Sequence, residues 1–162
     1  MKKTEVDFKA LALMFLRVSI GWHMFYEGLV KLINPHWSSL GYLKASQGPF
    51  SSLFLYISDN HALLRIVDLT NGLGLSIVGL LLMLGLLTRV AAFAGMVLLL
   101  FYYLCTPPLV GLEYAIPTEG SYLLVNKTLI ESMALFVIAL FNSENYLGLD
   151  LLANKYFKRK KG

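Results

Sequence analysis

One cysteine, Cys105, stands in 162 residues. That scarcity excludes an internal disulfide, a Cys-x-x-Cys redox pair and a cysteine-only metal site. Cys105 itself reads as a small apolar filler near the end of a hydrophobic run rather than as a reactive thiol. Charge is scarce too: Asp, Glu, Lys and Arg make up 15% of the chain, where a soluble domain carries about 25%. Of three histidines, only His23 falls inside an apolar run, so no pair of helix-borne haem ligands is offered. No glycine cluster follows a strand signal, which removes the dinucleotide fingerprint. No metal site is expected.

What is present is apolar surface. Hydrophobic residues make up 57% of the chain, above the roughly 45–50% of soluble proteins. Four runs carry the excess: Leu11 to Leu32, Val67 to Leu87, Val90 to Cys105 and Leu123 to Phe141. Each is near the length of about 20 helical residues that crosses the hydrocarbon of a bilayer. GLLLMLGLL, followed two residues later by VAAFAGMVLLLFYYL, has no polar face with which to meet water. The expected fold is therefore an all-α integral membrane protein, a four-transmembrane-helix bundle forming one domain over residues 1–162. The first run is too long, and too polar at its far end, for a cleaved signal peptide, and is expected to be retained.

Basic residues set the orientation. Lys2, Lys3 and Lys9 precede the first run, Arg89 lies in a tight turn between the second and third, and KYFKRKKG closes the sequence. With four spans these clusters fall on one side, and the positive-inside rule makes that side cytoplasmic. Both termini, including the basic tail 154–162, are then expected inside a cell inner membrane. The net charge of +4 fits contact with anionic lipid and calls for no nucleic acid. Residues 33–65 form the main outer connection. It opens on the turn signal Asn34-Pro35 and breaks again at Gly48-Pro49, while FSSLFLYI is a candidate short interfacial helix. The second outer connection, TPPLVGLEYAIPTEG, holds three prolines and resists regular helix. Tyr42, Tyr56, Tyr102, Tyr103, Tyr114 and Tyr122, with Trp22 and Trp37, collect toward this side as an interfacial belt, a subset of them suited to lining an opening for a flat lipid-soluble ligand.

Within the first run stand Arg17, His23, Glu27 and Lys31. Charge at membrane depth is expensive and is kept for function or specific pairing. His23, Glu27 and Lys31 are successive i,i+4 neighbours, and Arg17 falls on the adjoining side of the same face. Glu27 can pair with Lys31, and His23 can donate a ring nitrogen to Glu27. Arg17, nearer the inner half, needs a carboxylate, carbonyl or headgroup of its own. Asn126, Lys127 and Glu131 repeat the pattern on the fourth run, and Asp68 and Asn71 stand near the outer entrance to the second. Facing helices of this kind enclose a polar pocket bounded by His23, Glu27, Lys31, Asp68, Asn126, Lys127 and Glu131. The rival account, in which these groups only hold the helices together, is weakened because Gly72, Gly74, Gly79, Gly85, Ala91, Ala92, Ala94 and Gly95 already offer close-packing surfaces. His23, Glu27 and Glu131 are the candidate proton-handling, catalytic groups. Arg17, Lys31, Asp68, Asn71, Asn126 and Lys127 are the candidate ligand-binding groups.

RVSIGWHMFYEGLVKL, NGLGLSIVGLLLMLGLLTRVAAFAGM and NKTLIESMALFVIAL together resemble the DoxX-like membrane proteins, which are related to the small membrane subunit of archaeal thiosulfate:quinone oxidoreductase. LGLLTRVAA, from Leu84 to Ala92, is the most specific part. The family's opening arginine falls on Arg17, its helix-one glycine and lysine on Gly28 and Lys31, its turn arginine on Arg89, and its final-span Asn-Lys pair on Asn126 and Lys127. Asp68 stands where the family often has Glu, and Asn71 where it has a small residue. The resemblance implies structural roles for Gly28, Gly72, Gly85 and Arg89, and an association with quinone or sulfur redox chemistry.

Three function classes follow: a quinone-associated redox protein or oxidoreductase subunit, a non-catalytic membrane partner that organises or stabilises another protein, and a small-molecule or lipid transporter. No side chain here stores electrons, so a bound quinone or a redox partner protein must supply that step. Catalysis itself is left open by the residues. Membrane lipids are expected partners, and a homo-oligomer is compatible with the sequence.

Overall fold

The computed structural model describes residues 8–116, 123–141 and 148–149. Lys2, Lys3, Tyr122 and the tail 154–162 lie outside the described residues. The first helix, α1 (Phe8–Ile33), runs for 26 residues, about 39 Å at ~1.5 Å per residue. It stops at Asn34, whose carbonyl accepts from the Trp37 amide at 3.1 Å and whose side chain accepts from the His36 amide at 3.0 Å. Residues 33–65, expected as a connection, hold two short helices and the start of a third. These are α2 (Leu40–Lys44), α3 (Ser51–Asp59) and α4 (His61–Leu69). The FSSLFLYI segment is thus helical as α3. Asn60 separates α3 from α4 and caps α4, its side chain accepting from the amides of Ala62 and Leu63.

α4 continues through a π-helical turn, Thr70–Gly74, into α5 (Leu75–Leu84). Gly85 ends α5 in the left-handed conformation, at φ +64. The turn is therefore Gly85–Leu87, and Thr88 and Arg89 are the first residues of α6 (Thr88–Cys105) rather than turn residues. The last described helix is α7 (Lys127–Leu140).

Among the described residues three helical stretches are long and apolar enough to cross a membrane: Phe8–Ile33, His61–Leu84 and Thr88–Cys105. The fourth expected span differs. Asn126 accepts from the Leu129 amide at 2.9 Å and caps the helix there, so α7 has 14 residues, about 21 Å at ~1.5 Å each. The protein is an all-α membrane protein with several long apolar helices.

Glycine fixes how α1 meets the second long helix. A β-carbon at Gly21 would lie 2.9 Å from the Gly79 carbonyl oxygen and the Met83 nitrogen, and one at Gly28 would lie 2.5 Å from the Ser76 nitrogen. One at Gly79 would collide with the Phe25 backbone. Two pairs of glycines seven residues apart, Gly21 with Gly28 and Gly72 with Gly79, thus face each other in antiparallel register, and the backbones touch. Around this seam lies a core of Ile20 and Met24 from α1, Leu75, Val78 and Leu82 from α5, Ala91, Ala92 and Leu99 from α6, and Leu135 and Ile138 from α7. A second cluster, Leu43, Phe54 and Cys105, packs α2 and α3 on the end of α6. Large side chains such as Phe15, Ile77, Leu80, Phe93, Phe101 and Ile130 point outward and are exposed, as suits a surface whose solvent is lipid.

Candidate functional site

His23, Glu27 and Lys31 stand on one stripe of α1 because they recur every four residues. Their partners come mostly from other helices. His23 Nδ1 lies 2.7 Å from Glu131 Oε1 on α7, a hydrogen bond between residues 108 apart in sequence. Glu27 pairs with Lys31 as the i,i+4 spacing leads one to expect, with Nζ to Oε2 at 3.6 Å, while His23, expected to reach Glu27, meets Glu131 instead. The Lys31 ammonium also donates to the Tyr102 hydroxyl on α6 at 3.1 Å. It sits 5.2 Å from the centre of the Tyr102 ring and 5.5 Å from that of Trp37, within reach of cation–π attraction.

These groups border a cavity of about 410 Å3. His23, Glu27, Lys31, Asn126, Lys127 and Glu131 supply its polar lining. Met24, Leu75, Leu99 and Ile116 supply apolar wall, and Tyr42, Tyr102 and Tyr114 supply aromatic surface. Thr106 and Pro108, from the segment after α6, also line it. Tyr42 ties this segment to α6: its hydroxyl donates to the Tyr102 carbonyl at 3.1 Å and meets Thr106 Oγ1 at 2.5 Å. Burial pushes the Tyr42 phenol up to about 12, against the opposing pull of the Thr106 hydrogen bond. Tyr114 donates to the Pro107 carbonyl at 2.6 Å, and its phenol is raised by burial and by the nearby Cys105. Gln47 reaches the Glu113 carbonyl at 2.5 Å, and Ser46 the Cys105 carbonyl at 2.7 Å.

Three candidates fall elsewhere. Asp68 turns away from the cavity: its carboxylate accepts from the Ser39 amide at 2.7 Å, the Ser39 hydroxyl at 2.5 Å and the Ser38 hydroxyl at 2.9 Å, so it fastens the start of α2 to α4. Arg17 is buried at 2% exposure. It lies six residues before His23, about 9 Å along the helix, and its guanidinium nitrogens would be 2.9 Å from a β-carbon at Gly85. Arg17 thus packs beneath the α5–α6 turn. Asn71 does not line the cavity but accepts the hydroxyl proton of Tyr102, while its own amide donates to the Val67 carbonyl at 2.9 Å.

Asn126 lines the cavity and caps α7 at once. Gly28 and Gly72 sit in the α1–α5 seam, where a β-carbon on Gly72 would strike Leu32. Tyr42, Tyr102 and Tyr114, read mainly as membrane anchors from sequence, line the cavity. Their outer-side clustering was the available signal, but nothing local distinguishes a lining tyrosine from an anchoring one. Among the described residues no group of three or more His, Cys, Asp or Glu is placed to hold a metal ion.

The fold and the cavity define a helical membrane protein with paired, partly enclosed polar and charged side chains at one end of its long helices. The DoxX family model matches residues 12–107, more than half of the chain, and the protein belongs to the DoxX family. That match takes in His23, Glu27, Lys31 and Tyr102 and ends before Glu131. No curated protein and no solved structure matches the chain.

Proposed function

We propose that this DoxX-family protein is a four-span inner-membrane protein whose cavity binds a quinone and manages its protons, with electrons exchanged through a partner redox protein. The observation that carries the reading is the lining itself: a hydrogen-bonded pair of titratable side chains, His23 and Glu131, and a cation, Lys31, set against aromatic and aliphatic wall. A volume of about 410 Å3 lies within the roughly 300–1,000 Å3 of small-molecule sites. A flat ring suits the Tyr102, Leu75 and Leu99 surfaces, and a carbonyl oxygen suits the Lys31 ammonium. A bound quinone supplies the two-electron change. His23 and Glu131 hold a proton beside it, and Lys31 orients it. The relation to the thiosulfate:quinone oxidoreductase subunit is our inference from this chemistry and the family resemblance.

The fourth span is supported by apolar residues flanking α7. Leu123, Leu124, Val125 and Phe141 are all exposed and extend the apolar stretch to the length expected for a crossing. Lys9 and Arg89 lie at one end of the long helices and the cavity at the other, which supports an outer-side cavity under the positive-inside rule.

The test is binding of a short-chain ubiquinone analogue to monodisperse protein in detergent, followed by quenching of tryptophan fluorescence. Wild type is expected to bind. Lys31→Met, checked for an unchanged elution profile, is expected to bind about tenfold or more weakly, the scale of a hydrogen bond to a charged group. If wild type shows no saturable binding, and membranes without the protein keep full quinone-linked respiration, the quinone reading is wrong.

A further inference from the structure

The helix that lines the far side of the Lys31 contact is irregular where it matters. Thr70–Gly74 is a π turn, a local widening that recurs at functional sites because it re-aims one side chain. Around it three side chains return hydrogen bonds to carbonyls four residues earlier: Thr70 to Ile66 at 2.8 Å, Asn71 to Val67 at 2.9 Å and Ser76 to Gly72 at 2.8 Å. These bonds satisfy carbonyls near the disturbed ladder. They also fix the Asn71 amide: its nitrogen is committed to Val67, so its oxygen faces Tyr102.

A tyrosine hydroxyl has a single proton. Asn71 takes it, and the lone pairs of the Tyr102 oxygen are left for Lys31, which donates and cannot accept. The order of donors therefore runs one way, from Lys31 through Tyr102 to Asn71 to Val67. We propose that Asn71 is a positioning residue of the cavity: acting through the Tyr102 hydroxyl, it holds the Lys31 ammonium against Tyr102 and Trp37. Without an acceptor at position 71, the Tyr102 hydroxyl must turn its proton to another acceptor, and its lone pairs no longer face Lys31. Gly28 completes the device, because its missing side chain lets α1 reach the π turn: a β-carbon there would lie 2.7 Å from the Gly72 carbonyl oxygen.

The consequence for ligand affinity rests on the cavity being the binding site proposed above, but the test needs no ligand. The rate at which Lys31 of the full-length protein in detergent is reductively methylated by formaldehyde is followed peptide by peptide by mass spectrometry. Asn71→Leu is expected to change the Lys31 rate by about fivefold, the scale of one ordinary hydrogen bond, and to leave Lys44 unchanged. Tyr102→Phe should produce a similar change, and Asn71→Leu added to Tyr102→Phe should produce no more, since the two substitutions cut the same chain. Asn71→Ser keeps a group that donates to the Val67 carbonyl and accepts from Tyr102, as the Thr70 and Ser76 hydroxyls do toward their own carbonyls, and should restore most of the wild-type rate. Should Asn71→Leu fail to fold, Asn71→Ser and Tyr102→Phe still decide the matter. A wild-type Lys31 rate in Tyr102→Phe, an unrestored rate in Asn71→Ser, or additive effects in the double variant would each overturn the proposal. Failure of quinone binding with this coupling intact would instead count against the proposed ligand alone.

Discussion

His23 and Glu131 join helices at opposite ends of the sequence through one 2.7 Å contact. Glu131 is the more enclosed partner, its side chain 13% exposed against 40% for His23, so the loss of Glu131 is partly made good by water at His23. Glu131→Ala is expected to lower stability by about 1 kcal/mol, the scale of an ordinary hydrogen bond. Thermal unfolding in detergent measures this, and Glu131→Gln, which keeps a hydrogen-bonding oxygen, should lose less. Tyr42 offers a pH test. Its folded phenol titrates at about 12 against an ordinary value of 10.0, so between those limits the unfolded chain releases a proton that the folded chain keeps. Stability from this group is complete below pH 10.0 and falls as pH rises toward 12. Wild type should lose melting temperature steeply across that window. Tyr42→Phe, already less stable at neutral pH by about 1 kcal/mol for its lost hydrogen bonds, should fall less steeply over the same range.

Helices were readable where their evidence is local. The stripe of His23, Glu27 and Lys31 follows from spacing alone, and so does the Glu27–Lys31 pair. The His23–Glu131 contact does not, because it depends on how far α7 is turned toward α1, a rotation set by packing among Met24, Gly95 and Leu135. Asn126 ends the fourth apolar run as a helix at a point where hydropathy continues, since capping depends on one side-chain oxygen rather than on apolarity. The π turn left no mark beyond an asparagine among glycines. The seam between α1 and α5 makes the element-scale prediction. Gly28→Ala places a methyl 2.5 Å from the Ser76 nitrogen and is expected to cost about 1–3 kcal/mol by overpacking. Gly85→Ala, at φ +64, is expected to cost about 1–2 kcal/mol from the backbone alone and to displace Arg17 as well. Denaturation of each purified variant checks both values.

For the whole molecule, four crossings with cytoplasmic termini remain our proposal, and it has a direct readout. With Cys105 replaced by serine, a cysteine at Val110, which is exposed, is expected to react with an impermeant maleimide on intact cells, and one at Gly162 only after lysis. Labelling of Gly162→Cys from outside would reverse the topology. The glycine seam has a mechanical meaning as well. Where backbones touch, two helices have no side-chain layer in which to slide or hinge, and α1 with α5 therefore behaves as one stiff post. α7 packs mainly on α6, where Gly95 faces Leu135, and the stretch from Thr106 to Ile116 is tied to α2 and the segment after it by hydrogen bonds from Tyr42 to Thr106 and from Gln47 to Glu113. Stiffness is unevenly shared: the wall of the cavity that bears His23, Glu27 and Lys31 stands on the backbone-to-backbone seam, while the wall from Thr106 to Ile116 rests on side-chain hydrogen bonds and is the part with room to give.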